Sequence, residues 1–203
     1  MDNKQWFREA GFGMMIHWGL YCLPAGEWKG RRMSDIGEWA QEYFRIPMAE
    51  YSRLAGVFNP ILFDAEEWVK LAEDAGMKYI VFTAKHHEGF ALWPSEFGNH
   101  SVAQATVRTD IVAEFLRAFR AAGLQAGLYF SVLDLTAGIG RRSFPPAQRE
   151  RVLGQITELL TNYGEIPYLI IDGWNAPWGG PSYRELPFEE VDALVKRLQP
   201  NCL

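Results

Sequence analysis

A chain of 203 residues that is 48% hydrophobic is long and apolar enough for one domain with its own core, and its composition excludes a disordered polypeptide. The formal net charge is −5, with no basic block, which argues against nucleic-acid binding; no apolar run reaches the length of a membrane span. Two cysteines, Cys22 and Cys202, at opposite ends of the chain form neither a disulfide framework nor a zinc ribbon.

The opening segment MDNKQWFREAG lacks the apolar core of a signal peptide, which leans the expected location toward the cytoplasm. The first strand is predicted near 12–17, within FGMMIHWG, and delivers His17 and Trp18 at its end. IGEWAQEYF then places Glu38 and Trp39 between this strand and its helix. FDAEEWVKLAEDAG reads as that helix, with Asp64 as N-cap, Glu67 in the first turn and Gly76 as terminator. KYIVFTAKHH predicts a strand near 79–85. TDIVAEFLRAFRAAG repeats the helical design between Asp110 and Gly123. LQAGLYFS predicts a strand near 125–131, followed by the helix PAQRERVLGQITELLTNYG closing at Gly164. PYLIIDGW predicts a strand near 167–172, and PFEEVDALVKRLQP is a helix bounded by Pro187 and Pro200.

The strand runs are short and apolar on both faces, as strands covered on both sides must be. Their alternation with helices predicts a parallel sheet, and right-handed crossovers bring the C-terminal strand ends together. His17, His86, His87, Ser131 and Asp172 all lie at those ends. Such segregation marks the active face of a (β/α) barrel, although a doubly wound sheet produces it too. The expected fold is an α/β, TIM-like (β/α) barrel represented by its first four to five βα units. It forms one catalytic-type domain over 1–203 that is incomplete on its C-terminal side, since a full barrel takes about 250 residues and QPNCL falls where a fifth strand begins. Four strands leave two open edges and expose interior residues such as Val81, Leu128 and Ile170. A homo-oligomer that completes the barrel is therefore one expectation.

Among the polar residues, Asp172 stands out: LIIDGW ends a buried strand on a carboxylate, with Gly173 to turn the chain. His17 beside Trp18 suits hydrogen bonding to hydroxyls, and equally suits a histidine satisfied inside a barrel. Adjacent residues on a strand face opposite ways, so His86 and His87 can share one site only if the strand has ended; Gly89 supplies the freedom for that. Glu38 and Trp39 are candidates for a pocket wall, and Trp28, Trp93 and Trp174 for stacking on a sugar face. Three histidines and an aspartate could also bind zinc, but there is no H-x-H or H-E-x-x-H spacing.

In order along nearly the whole chain, WFREAGFGMMIHWGLYCLPAGEW, NPILFDAEEWVKLAEDAGMKYIVFTAKHHEGFALWPS, GLYFS and LIIDGW resemble the α-L-fucosidases of glycoside hydrolase family 29. The resemblance implies a retaining exo-glycosidase on an irregular (β/α) barrel that acts on fucosylated glycans or fucosides without metal or cofactor. It implies Asp172 as nucleophile, with His17, His86 and His87 on the fucose hydroxyls and Glu38 and Trp39 as a further sugar-contacting pair. Where the family usually has two tyrosines, this chain has Tyr129 and Phe130; Tyr129 and Trp174 are carried as substrate-binding candidates. The family's acid/base glutamate comes from beyond the fourth strand. Glu38, Glu88 and Asp134, the acids nearest the cleft, match no such position. The alternatives are a fucose-binding half-barrel without acid catalysis and a metal-dependent barrel hydrolase.

Overall fold

Four parallel strands make the main sheet of the computed structural model, which describes residues 4–106, 108–137 and 144–203. They are β1 (Gly13–Ile16), β4 (Tyr79–Lys85), β5 (Gln125–Ser131) and β6 (Leu169–Asp172), in that spatial order. All pairs are parallel, with Gly13 opposite Tyr79, Tyr79 opposite Gln125 and Leu128 opposite Leu169. The C-terminal strand ends therefore share one side, as the strand–helix order predicts. Residues 1–3 of the opening segment lie outside the described part.

Helices α4 (Ala65–Asp74), α5 (Ile111–Ala121), α6 (Pro146–Thr161) and α7 (Phe188–Leu198) follow the strands. Their ends obey the caps read from sequence. The Asp64 carboxylate accepts the N–H groups of Glu66 and Glu67, and that of Asp110 accepts the N–H of Ala113. Gly76, Gly123 and Gly164 follow the helix ends with φ near +70°, a conformation that costs glycine little. Ile80, Phe82, Leu128, Phe130 and Leu169 share a core with Val69, Phe115, Ile156 and Val191 of these helices.

The long passage from β1 to α4 holds what the sequence pattern did not predict. It carries a small antiparallel hairpin, β2 (Glu27–Trp28) with β3 (Arg31–Arg32), and the short helices α2 (Ala40–Tyr43) and α3 (Met48–Tyr51). A further short helix, α1 (Gln5–Ala10), precedes β1. Its Phe7 ring lies 5.3 Å from Tyr79 and 5.1 Å from Tyr168, at the opposite end of the strands from the histidines.

The expected exposure of the concave face needs correcting. Leu128 points to the helices and is fully buried, because alternation along β5 turns Tyr129, not Leu128, inward. Val81 is only 2% exposed, and Ile170 is half-buried. The sheet edges are β1 and β6; beside β6, Leu203 donates to the Pro167 carbonyl and accepts from Leu169 N–H, the pattern of a parallel neighbour.

Candidate active site

The paired histidines owe their placement to a β-bulge. Thr83 pairs with Tyr129, but the next partner, Phe130, pairs with Lys85 rather than Ala84. The extra residue rotates Lys85 to the helix side, where it is fully buried and its Nζ lies 4.4 Å from the Phe130 ring centre. β4 ends there. His86 to Gly89 form a turn closed by the Gly89 N–H donating to the His86 carbonyl, with Gly89 at φ +79°. The two imidazoles thus reach the same side, 4.1 Å apart between ring centres.

From them a closed circuit of side chains runs around one bowl. His86 lies 5.2 Å from His17 and 5.6 Å from Tyr129, ring to ring. The Tyr129 hydroxyl donates to Asp172 Oδ2 at 2.7 Å, and the Gly173 N–H donates to Asp172 Oδ1 at 2.6 Å. Asp172 Oδ2 is 3.8 Å from His87 Nε2, and the His87 ring is 6.5 Å from Trp178. Trp178 meets Trp39 at 5.1 Å, and Glu38, the neighbour of Trp39, brings Oε1 to 3.8 Å from His86 Nε2. The structure thus gathers His17, Glu38, Trp39, His86, His87, Tyr129 and Asp172, drawn from the ends of four strands and the β1–α4 loop. Phe130, one residue on from Tyr129, lies in the core instead.

Burial sets the protonation of these rings. Burial, reinforced by His87 and His17, pushes His86 down to about 2. Burial also lowers His87, to about 4, with Asp172 opposing and His17 and Lys85 assisting. Both rings are neutral near pH 7. The Ser131 hydroxyl donates to the Leu133 carbonyl at 2.8 Å, so at its 2.7 Å contact with His87 it accepts from Nδ1–H. That leaves the lone pair of His87 Nε2 facing the bowl. Tyr129 is raised, first by burial and then by Asp172, and remains a hydrogen-bond donor. The Asp172 side chain is 54% exposed and open to a ligand. His86 Nδ1 is buried without a partner among the described residues.

Other candidates fall elsewhere. Trp174 donates through Nε1 to the Leu186 carbonyl and stacks on Tyr183, so its contacts run to the segment before α7 rather than to the histidines. Trp93 is 1% exposed and donates to Glu158, while Trp28 is half-buried beside the Lys29 ammonium. Glu88 is buried, accepting from Leu20 N–H and from the Tyr51 hydroxyl. Asp134 is buried against Lys85, Thr136 and Arg151. Trp178 was not among the sequence-derived candidates; its signal was a tryptophan between proline and glycine in the loop after Asp172. One three-ligand group exists among the described residues: single atoms of His17, Glu38 and His86 lie within 4.8 Å of one another, a spacing that could hold a cation.

The α-L-fucosidase family model matches residues 1–201. A tissue α-L-fucosidase from Rattus norvegicus is 32% identical over 225 residues, covering 98% of this chain and 47% of its own. An α-L-fucosidase from Lactobacillus casei, solved with α-L-fucose product, superposes with a TM-score of 0.86 at 36% identity, over 100% of this chain and 68% of its own. A family 29 enzyme from Bacteroides thetaiotaomicron, trapped as a covalent intermediate with 2-fluoro-fucosyl fluoride, gives 0.88 at 32%, over 100% and 48%. These neighbours have a TIM-barrel catalytic domain, of which the four-stranded parallel sheet here is a part. The chain spans about half or less of the length of the curated relatives it matches. With the strand order, the HWG, KHHEGF and DG elements and these similarities in agreement along its length, the chain belongs to the α-L-fucosidase family of glycoside hydrolases.

Proposed function

We propose that this chain carries the fucose-binding and nucleophile half of a retaining α-L-fucosidase site. The observation that carries the reading is the orientation of Asp172, whose two oxygens are each held by a donor, Tyr129 and Gly173, while the carboxylate stays open to the bowl. Donors to a carboxylate favour its charged form. Asp172 attacks the anomeric carbon, the bond to the leaving oxygen breaks with its electron pair, and a fucosyl ester forms. Water then attacks that carbon and gives up its proton to solvent, while the bond to Asp172 breaks with its electron pair and frees the carboxylate. Neutral His87 accepts from a hydroxyl near the reacting carbon through Nε2. His17, His86 and Glu38 take the remaining hydroxyls, and Trp39 packs on the sugar. The leaving oxygen of a natural glycan needs a proton, and the buried carboxylates of Glu88 and Asp134 are committed to other partners.

The test uses a leaving group that needs little protonation. Incubation with 2-deoxy-2-fluoro-α-L-fucosyl fluoride should add one fluorofucosyl group, mapped by peptide mass to Asp172 and absent from Asp172→Ala. Protection by L-fucose without any adduct would instead support a binding half-barrel. The His17, Glu38 and His86 group favours one other reading, a bound divalent cation. Elemental analysis showing one zinc per chain would replace the fucose reading with that one.

A further inference from the structure

We propose that Trp178, backed by Trp39, is the platform on which the ring attached to fucose stacks: an aryl group, or the hexose of a glycan. The inference rests on the fucosidase reading and extends it to the leaving-group side.

The circuit around the bowl has two chemically different arcs. Asp172, Tyr129, His17, His86 and His87 present polar atoms close to the nucleophile and suit a hydroxylated sugar. The rest of the circuit is two indoles tilted at 50° with centres 5.1 Å apart; Trp39, beside Glu38, is taken up by fucose, which leaves Trp178 for the next ring. The His87 ring neighbours both Asp172 and Trp178, with Nε2 3.8 Å from Asp172 Oδ2 and its centre 6.5 Å from that of Trp178. In a retaining reaction the leaving group departs opposite the attacking carboxylate. With fucose held by the polar residues and by Trp39, the next ring needs a further surface, and Trp178, half-buried on the loop that follows Asp172, offers one. A flat apolar face there matches the C–H face of a hexose or an aryl ring.

The loop that holds Trp178 suits a fixed platform. Asn175 N–H donates to the Pro181 carbonyl at 3.0 Å, and Gly179 N–H donates back to the Ala176 carbonyl at 3.1 Å. Pro177 and Trp178 form the tip of this tight return. Gly173, Gly179 and Gly180 at its base and neck, and Asn175, all have positive φ. Any side chain at Gly180 would strike the Gly173 carbonyl, so the base of the loop is closed on itself. The indole is therefore presented by a backbone with few ways to relax.

The experiment compares binding of L-fucose and of 4-nitrophenyl α-L-fucoside to the full chain by calorimetry, in an Asp172→Ala background so that no turnover intervenes. The parent should prefer the nitrophenyl fucoside about five- to tenfold, the range that one aromatic stacking contact supports. Adding Trp178→Ala should remove that preference while L-fucose affinity stays within about twofold; Trp178→Phe, which keeps a flat ring, should retain part of it. Trp178→Leu carries the same comparison if alanine unfolds the loop. Equal weakening toward both ligands would place the indole on fucose itself and overturn the proposal, as would an unchanged preference. Failure of the parent to bind either ligand would instead overturn the fucosidase reading beneath it.

Discussion

Ser131 Oγ gives its proton to the Leu133 carbonyl and takes that of His87 Nδ1, so one buried hydroxyl selects the tautomer of the ring that faces Asp172. The hydroxyl is as much a part of the site as the imidazole, because a ring with a free choice of tautomer presents its acceptor nitrogen only part of the time. Ser131→Ala leaves Nδ1–H buried without a partner. Expected outcomes are a stability loss of about 1–3 kcal/mol and weaker binding of L-fucose, with the loss confined to interactions of His87. Urea unfolding and fucose titration check the two together. Ser131→Thr, which restores a hydroxyl, should recover the binding.

The element that aims the histidines is the end of β4. Its bulge sends Lys85 into the core, where the ammonium meets Asp134 Oδ2 at 3.3 Å and Gln155 Oε1 at 3.0 Å. Burial lowers Lys85, and the Asp134 charge opposes that shift. Burial would raise Asp134, but Lys85, Thr136 and Arg151 outweigh it and hold the carboxyl low. The pair ties the strand carrying the histidines to the segment after β5, and Leu135 N–H donates to the His87 carbonyl in the same place. Removing one partner strands a buried charge. Asp134→Ala should therefore cost about 3–5 kcal/mol, and the double change Lys85→Met with Asp134→Leu clearly less. Denaturant midpoints of the single and double variants decide it. Gly89→Ala should also be destabilising by more than about 1 kcal/mol, since φ is +79° and the added methyl would strike Asp134.

At the scale of the whole molecule, buried histidines make stability depend on pH. Burial lowers His86, His87 and His100, the last to about 4. The unfolded chain takes up their protons near pH 6.5 while the folded chain does not, so stability is complete above that pH and falls below it. The loss continues to about pH 4 for His87 and His100 and to about pH 2 for His86. Glu88 runs the other way. Burial raises it to about 7, so the folded chain holds a proton that the unfolded chain releases above about pH 4.5, and its contribution fades as pH rises across that interval. Burial raises the Glu42 and Asp110 carboxyls in the same direction as Glu88, nearer the acid end of the interval, and each unmatched proton is worth about 1.4 kcal/mol per pH unit. Unfolding midpoints should fall between pH 6.5 and 4.5. His100→Phe, away from the bowl, should flatten that slope; an unchanged slope would remove His100 from the account.

Periodicity, caps and strand-end chemistry, read along the chain, determined the four parallel strands, their helices and the side on which the polar residues meet. These features depend on residues close in sequence: Asp64 and Asp110 cap their own helices, and each βα crossover has one favoured hand. Family motifs added the resemblance and the candidate nucleophile. Only the tertiary structure decided that Tyr129 faces the bowl while Phe130 joins the core, that Trp178 rather than Trp174 meets Trp39, and that Ser131 orients His87. The physical reason is register. A single bulged residue at Ala84 reverses the facing of everything after it, and a loop can carry its tryptophan in any direction until its own hydrogen bonds close it. Those outcomes rest on contacts between segments far apart in sequence, as when the Ser131 hydroxyl meets His87 across the sheet and Trp178 meets Trp39 between two strand-end loops.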